Sequence, residues 1–182
     1  MEGLTVVLTA RRLSLFRSFE AHFGDLPWVS ITDKDIVSIE GLDAVVSPAN
    51  AFGWMDGGVD QVFVYAFGQQ IEDRVQATIK ARYDGKMPVG QAFVIDTQHP
   101  KIPWLVVSPT MEIPGLIRGT RNPFEAFKAA LEAVLEHNRR SPQQTIQRVG
   151  FTGMGTGTGG IPGDEAAQMM REALDAMSSA KV

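Results

Sequence analysis

Two glycine-rich segments, each placed directly after a short apolar run, constrain the fold of this chain more than any other feature. The first lies within residues 43–68 (DAVVSPANAFGWMDGGVDQVFVYAFG) and contains the run Ala44–Val46, the pair Gly57 and Gly58, and an apolar segment of helical length. A short apolar run bounded by turn residues is typical of a buried strand. A strand, a glycine turn and a helix start, in that order, present backbone N–H groups to an anion. The segment therefore predicts a phosphate-binding turn with the carboxylate of Asp60 beside it.

The second glycine-rich segment, residues 153–163, follows the last apolar run and holds six glycines in eleven residues. Each glycine costs backbone entropy on folding, so this density indicates a loop that needs positive φ angles or a close backbone approach to a ligand. The order GxxxxGK[ST] is absent, which argues against a nucleoside-triphosphatase P-loop. No GxGxxG opens the first strand–helix unit, which weakens a dinucleotide-binding interpretation. Two such loops at the carboxyl ends of strands predict one shared crevice in an open α/β sheet.

The composition excludes several classes of protein. The 182 residues, 44% of them hydrophobic and 21% charged, predict a single globular domain over residues 1–182. A net charge of −4 gives no electrostatic footprint for extended nucleic acid or for an anionic membrane surface. A small anionic ligand is still possible, because backbone amides can bind it without Lys or Arg. The absence of cysteine excludes disulfides, thiolate nucleophiles and Cys-ligated metals.

Localisation and metal binding are predicted from absences in the sequence. The first residues lack a signal-like pattern and no apolar run reaches transmembrane length, so a cytoplasmic location is expected. The three histidines, His22, His99 and His137, are scattered and form no ligand set. We therefore predict neither a metal site nor a cofactor, and the sequence does not indicate an oligomeric state.

Strand-like and helix-like patterns alternate along the chain. Strands are predicted at residues 4–8, 28–31, 44–46, 91–97, 104–108 and 148–152, and helices after residue 13, after Val59, from Ile71 to Tyr83, from Asn122 and from Asp164. The Asn122–Glu125 stretch predicts a helix capped by Asn122 with a proline at its first position. Residues 110–121 predict an irregular, mobile surface loop. The fold class is therefore α/β, with helices on both faces of a mostly parallel sheet.

Four motifs, in this order, resemble those of the macrodomain family, the ADP-ribose-binding module. Asp33–Ile36 stands where the family has a GDI-like turn, and Ser47–Asn50 stands where it has an NAAN-like motif. Asp56–Asp60 resembles the GGGVD-like loop, with Asp60 ten positions after Asn50, and Gly155–Pro162 resembles the second loop, often written STGxxGxP. The resemblance runs from about residue 28 to residue 177. It implies a three-layer α/β/α sandwich around a central, mixed but mostly parallel sheet of about six strands.

The resemblance also implies a set of ligand-binding residues. Asp35 would accept a hydrogen bond from the adenine amino group, and the backbone N–H of Ile36 would reach a ring nitrogen. The first loop would wrap the diphosphate from one side and the second loop from the other. The diphosphate-binding residues would be Gly57, Gly58 and Val59 on one side and Gly155, Thr156, Gly157, Thr158, Gly159 and Gly160 on the other.

Two residues would carry the chemistry that the resemblance implies. Asn50 would hydrogen-bond the distal ribose, and Asp60 would orient or deprotonate a water near the anomeric carbon. The implied activity is hydrolysis of ADP-ribose from mono-ADP-ribosylated acidic side chains of proteins or from O-acyl-ADP-ribose. The implied partners are ADP-ribose and ADP-ribosylated proteins.

Several alternatives stay open at this point. Ser47 replaces the first Asn of the family motif and Val64 replaces a common His, which favours a non-catalytic ADP-ribose reader. A binder of nucleotide phosphates or RNA ends is a more distant possibility. Asp60 could only stabilise a helix start, while Asn50 or Asp35 could only stabilise a turn. Trp54 and Met55 could each cover the ligand or pack in the core.

Overall fold

The computed structural model describes residues 3–179 and alternates strands with helices, as the sequence predicts. The strands are β1 (Thr5–Thr9), β2 (Val29–Thr32), β3 (Ala44–Ser47), β4 (Phe93–Asp96), β5 (Trp104–Val107) and β6 (Arg148–Phe151). The helices are α1 (Leu13–Phe23), α2 (Gly58–Phe67), α3 (Gln70–Tyr83), α4 (Asn122–Arg140) and α5 (Gly163–Ser179), with a short 3-10 turn at Ile36–Ser38.

The six strands form one sheet in the order β2-β1-β6-β3-β5-β4. All neighbouring pairs are parallel except β4, which runs antiparallel to β5 at the edge. The predicted mixed, mostly parallel sheet of about six strands is confirmed. Because the carboxyl ends of parallel strands meet at one edge, the turns after β2, β1, β6, β3 and β5 lie on the same side of the molecule.

Apolar cores lie on both faces of the sheet, which confirms the three-layer arrangement. Val6 and Leu8 of β1 belong to the core under α1, α4 and α5, whereas Val7 belongs to the core under α2 and α3. Val45 and Val46 of β3 divide in the same way. Strands that are buried on both faces have continuous apolar sequences. This explains why apolar runs, without alternating polar residues, identified these strands in the sequence.

The structure corrects two details of the predicted helices. Gly68, with φ of +92°, separates α2 from α3, so the apolar segment after Val59 does not run on into residues 71–83 as one helix. The prediction of Asn122 as a helix cap is wrong. Arg121 occupies the cap position, and Asn122 is the first helical residue, whose Nδ2 donates to the Thr110 carbonyl at 2.8 Å. The amide therefore fixes the chain after β5 instead of the helix end.

Phe127 provides a test of the core between the sheet and α4. Its ring is fully buried, with its centroid 4.6 Å from that of Phe151 and 6.5 Å from that of Phe23. We expect Phe127→Ala to lower the free energy of unfolding by about 3–5 kcal/mol, since it leaves a cavity that the neighbouring rings cannot fill. Chemical denaturation measures this, with Tyr65→Ala as control because Tyr65 is 79% exposed. An equal effect of the two substitutions would contradict the packing described.

Candidate functional site

The two predicted glycine loops face each other across one cleft at the carboxyl edge of the sheet. They are brought together because β3 and β6, the strands that lead into them, are parallel neighbours in the sheet. The cleft holds about 770 Å³ of empty space, counted to its open mouth. Asp56–Asp60 line one side and Gly155–Gly159 line the other, with Asn50 also in the lining. Of the predicted loop residues, Gly160 lies outside this lining.

The first loop delivers the start of α2 to the cleft. Gly57 is the cap residue and, as a glycine, makes no side-chain capping hydrogen bond. The N–H groups of a first helical turn have no acceptor within the helix, so those of α2 are available to a ligand. Gly58 has φ of +61°, a conformation that favours glycine. The local geometry fits the anion-binding turn that the sequence predicts.

The second loop is held in a compact shape by hydrogen bonds between residues that are close in sequence. The Thr156 backbone N–H and hydroxyl both donate to the Gly153 carbonyl, at 3.3 and 2.9 Å. The Ile161 N–H closes the loop on the Gly155 carbonyl at 3.1 Å. A Cβ atom on Gly159 would lie 2.5 Å from the Gly155 carbonyl oxygen, so this position accepts no side chain unless the backbone moves.

The segment of residues 110–121 connects the two loops, and the sequence did not predict this role. At one end Met111 forms a bridge with Asn50, and the Ala51 N–H donates to the Glu112 carbonyl at 3.0 Å. At the other end the Ile117 N–H donates to the Gly159 carbonyl at 2.9 Å. The predicted irregular conformation is confirmed, but the segment is anchored to both loops. In the sequence, the position of this segment directly after a predicted parallel strand could have indicated that it lies beside the glycine loops.

Asn50 builds the turn in which it lies. Its Oδ1 accepts from the N–H groups of Phe52 and Trp54, at 3.1 and 3.2 Å, and its Nδ2 donates to the Trp54 carbonyl at 2.9 Å. The side chain is 5% exposed. An amide nitrogen has two N–H donors, so one remains for a ligand in the cleft. The turn-forming role is thus observed, and hydrogen bonding to a ribose stays a prediction.

Asp60 is a buried carboxylate at the cleft. It is the third residue of α2 rather than its cap, and it is 7% exposed. Within residues 3–179, neither its Oδ1 nor the Ser47 hydroxyl has a hydrogen-bond partner. Burial raises the pKa of Asp60 to about 7; the adjacent Ser47 hydroxyl lowers it in part, and the negative charge of Glu72 raises it further. The hydroxyl is close enough to affect the carboxyl group, although its geometry does not meet that of a full hydrogen bond.

Glu72 on α3 supports this side of the cleft and gave no signal in the sequence beyond being an acid on a helix. Its Oε1 accepts from the Met55 N–H at 2.9 Å and from Gln76 at 3.2 Å, and its Oε2 accepts from Gln69 at 2.7 Å. The carboxylate thereby ties the first loop to α3. Met55 is buried and belongs to the core.

Trp54 lies on the opposite side of the same turn from the core residue Met55. It is 42% exposed, lines the cleft and stacks on Phe52 with ring centroids 4.9 Å apart. Of the two residues left open by the sequence, Trp54 is therefore the one available to cover a ligand.

Asp35 and Ile36 line a neighbouring cavity, here called the Asp35 cavity, with about 800 Å³ of empty space counted to its open mouth. It shares Gly58, Val59 and Gly157 with the cleft, so the two spaces adjoin. The exposed carboxylate of Asp35 accepts from Arg11 Nη1 at 2.9 and 3.1 Å. The structure thus places both predicted adenine-binding residues beside the cleft, and their contact with adenine stays a prediction.

Residues 3–179 contain neither a metal-binding cluster nor a membrane-spanning helix. In this range no three His, Cys, Asp or Glu side chains are grouped so that they could hold a metal ion. None of the helices described is long and apolar enough to span a membrane.

The stability of the protein should depend on the ionisation of Asp60. In the unfolded chain this carboxyl group has its ordinary pKa of 3.8, and in the folded protein about 7. Between these values the folded state retains a proton that the unfolded state has lost, so the contribution of Asp60 to stability falls as the pH rises. We expect Asp60→Asn to unfold like the wild type below pH ~4 and to be more stable by up to ~4 kcal/mol above pH ~7.

Denaturant unfolding of both proteins across this pH range measures the difference. Asp56→Asn, on the exposed part of the same loop, is the control, because it removes the same charge without relieving burial. A stability difference between wild type and Asp60→Asn that does not change with pH would contradict a raised pKa.

Comparison with known proteins identifies the family. The Macro domain family profile matches residues 46–170. An uncharacterised protein of Aquifex aeolicus is 34% identical over 145 residues, which cover 80% of this chain and 76% of that protein. A Thermus aquaticus protein named DNA ADP-ribosyl glycohydrolase is 28% identical over 142 residues, which cover 78% of this chain and 36% of that protein.

Solved structures show the same fold. The macrodomain of Mycobacterium tuberculosis DarG superposes with a TM-score of 0.65 at 18% identity, over 80% of this chain and 89% of that chain. The Oceanobacillus iheyensis macrodomain with ADP gives a TM-score of 0.63 at 20% identity, over 78% of this chain and 71% of that one. With the family profile covering more than half of the sequence and the motifs meeting at one cleft, this chain belongs to the macrodomain family, whose members bind ADP-ribose.

Proposed function

We propose that this protein binds ADP-ribose in the cleft and hydrolyses ADP-ribose adducts, with Asp60 as the residue that orients or deprotonates the attacking water. The observation that carries the proposal is a buried carboxylate with one oxygen unpartnered within the described chain, placed between two glycine loops. Burying a carboxyl group whose oxygen has no hydrogen-bond partner costs free energy. Perturbed carboxylates in clefts are candidates for catalysis on that ground.

Backbone amides account for binding of the diphosphate. The uncapped first turn of α2 and the coil of the second loop lie on opposite sides of the cleft. Helix N-termini and turns of this kind bind phosphate without a cationic side chain. Among the described residues, the cleft lining contains no Lys or Arg. A protein of net charge −4 can still hold a diphosphate there through backbone amides.

The proposed chemistry follows from the position and pKa of Asp60. A general base works best when its pKa is near the working pH, and burial brings that of Asp60 to about 7. Water would attack the anomeric carbon, its proton would pass to Asp60, and the bond to the departing carboxylate would break. In O-acyl-ADP-ribose water would attack the ester carbonyl instead; the bond from that carbon to the ribose oxygen would break, and the proton taken up by Asp60 would pass to the departing ribose oxygen. A diphosphate held on both sides fixes the distal ribose, so proximity supplies much of the acceleration.

The leading substrate is a protein mono-ADP-ribosylated on an acidic side chain, or O-acyl-ADP-ribose. Asn50, with one amide N–H to spare, is proposed to hydrogen-bond the distal ribose and hold the anomeric carbon near Asp60. A module that only binds ADP-ribose would need the glycine loops but would not need a buried carboxylate that destabilises the fold. The burial of Asp60 therefore favours an enzyme over a non-catalytic reader. The departures at Ser47 and Val64 are the features that favour the reader.

An ADP-ribose linked to a nucleobase is a second candidate substrate. Trp54 presents an exposed aromatic side chain at the cleft and is backed by the stacked ring of Phe52. Nucleobases stack on aromatic side chains, and such contacts are worth about 1–3 kcal/mol per base. The Thermus aquaticus relative is named a DNA ADP-ribosyl glycohydrolase, which supports testing this linkage.

The first functional prediction concerns Asp60 itself. We expect Asp60→Asn to lower kcat/KM for ADP-ribose release at least ~100-fold, the usual range for a lost general base, while ADP-ribose binding persists. The wild-type rate should rise with pH through a midpoint near pH 7, since the ionised carboxylate is the active form. The assay uses a protein ADP-ribosylated on glutamate and, in parallel, an ADP-ribosylated DNA oligonucleotide.

The control and the binding measurement separate the possible outcomes. Asp73→Asn, at an exposed position of α3 that lines neither the cleft nor the Asp35 cavity, should retain the wild-type rate on the preferred substrate. Full activity of Asp60→Asn would exclude the proposed role of this residue. Binding of ADP-ribose without release from either substrate would identify a reader, and absence of binding would exclude the cleft as an ADP-ribose site.

The second functional prediction concerns the shape of the second loop. Because a methyl group at Gly159 would lie 2.5 Å from a backbone oxygen, Gly159→Ala must displace the loop. We expect ADP-ribose affinity to fall at least ~10-fold, as the loss of one or two charge-assisted hydrogen bonds would produce. Isothermal titration measures the affinity. Gly115→Ala is the matched control, since its new methyl group would come no nearer than 3.9 Å to its neighbours. Equal affinities for the two variants would contradict the role of this loop.

A further inference from the structure

We infer that a second anion subsite, centred on Arg12, takes a phosphate carried on the adenosine ribose of the ligand. This inference rests on the proposed binding of ADP-ribose in the cleft. It extends that proposal by naming a ligand class: ADP-ribose that bears an additional phosphate on the 2′ or 3′ oxygen of its adenosine ribose.

A third cavity behind the second glycine loop provides the space. This cavity, here called the Arg118 cavity, has about 640 Å³ of empty space counted to its open mouth and is lined by both Arg12 and Arg118. Arg12 also lines the Asp35 cavity, and both cavities share Thr156 and Gly157 of the second loop. Arg12 therefore stands at the boundary between the two spaces, immediately before the start of α1.

The charges around this boundary are unbalanced. Within residues 3–179, Arg12, Lys34 and Arg118 form no ion pair, whereas Arg11 is neutralised by Asp35. Arg118 donates through Nε to the Gly160 carbonyl at 2.9 Å, which fixes its guanidinium beside the loop. No carboxylate residue is among those that line the Arg118 cavity in the described chain. An acidic protein thus gathers cationic side chains at one end of its cleft.

The covalent order of ADP-ribose places its adenosine ribose beside Arg12. With adenine at Asp35 and Ile36, and the diphosphate between the glycine loops, the ribose that joins them must lie where the two spaces meet. That junction is formed by Gly58, Val59 and Gly157, which line both the cleft and the Asp35 cavity. Gly157 also lines the Arg118 cavity. In the proposed pose the adenosine ribose would therefore lie beside the opening toward Arg12 and Arg118, and its 2′ and 3′ oxygens could carry a phosphate into that opening.

The chemistry of that opening suits a phosphate monoester. A guanidinium presents paired N–H donors that match two phosphate oxygens, and it stays charged at every working pH. The diphosphate is already held by backbone amides, so these arginines are not needed for it. A phosphate on the 2′ or 3′ oxygen would gain a cationic partner that unmodified ADP-ribose does not use.

The test is isothermal titration with three ligands: ADP-ribose, 2′-phospho-ADP-ribose and 3′-phospho-ADP-ribose. We expect wild-type protein to bind at least one phosphorylated ligand about fivefold or more tightly than ADP-ribose, as a new charge-assisted contact at a partly exposed site would give. Raising the salt to about 0.5 M should shrink that ratio, because exposed charges are screened. Arg12→Gln should bring the ratio close to one, and Arg12→Lys should retain part of it.

Arg17→Gln is the matched control. Arg17 lies on the exposed side of α1 and lines none of the three cavities, so its removal changes the net charge equally and should leave the ratio intact. Equal affinity of the wild type for all three ligands would overturn the subsite while leaving the proposed function standing. A preference that survives in Arg12→Gln would overturn the role of Arg12. Failure of every ligand to bind would instead refute the proposed function, and the subsite with it.

Discussion

The parallel pairing of β3 with β6 is the contact on which the rest of the site depends. It sets the two strands side by side, with Val45 opposite Gly150, so that both glycine loops leave the sheet at the same edge. Neither loop can surround a diphosphate alone, because each offers N–H groups from one direction only. The apolar cores on the two faces hold this pair rigid, and the 110–121 segment joins the loops across the top.

The buried carboxyl group of Asp60 at this edge of the sheet destabilises the folded protein when it is ionised. Asp60 sits in the first turn of α2, where the helix dipole favours a negative charge, yet burial outweighs the dipole and raises the pKa of Asp60 to about 7. Glu72 adds to the destabilisation while its hydrogen bond to the Met55 N–H secures the loop. Glu72 therefore has a structural role in this loop, whereas the role proposed for Asp60 is chemical.

The sequence predicted the parts of the fold and site that depend on local pattern. Apolar runs located the six strands, and glycine density located both loops, because few other structures tolerate so many glycines. The resemblance to the macrodomain motifs, in which Asp60 stands ten positions after Asn50, indicated the candidate acid. The sequence did not predict the structural roles of Asn122, of Glu72 or of residues 110–121. These roles share a cause, because they depend on hydrogen bonds to residues distant in sequence, such as Thr110 for Asn122 and Met55 for Glu72. Asn50 was predicted as a ligand contact, with a turn role left open as the alternative. The structure shows the turn role, but the sequence could not specify its hydrogen-bond partners, since many turns suit an asparagine.

The division of labour between backbone and side chains explains how an acidic protein can select an anionic ligand. Backbone amides carry no net charge, so in the proposed complex they would hold the diphosphate without attracting polyanions to the cleft in general. Among the described residues that line the cleft and its two neighbouring cavities, the cationic side chains stand at the proposed adenosine end, where Arg11 is neutralised by Asp35 and Arg12 is not. On the proposed function, affinity would come from the loops and discrimination from this edge. A ligand would then be recognised by where its phosphates lie along the cleft rather than by how many it carries.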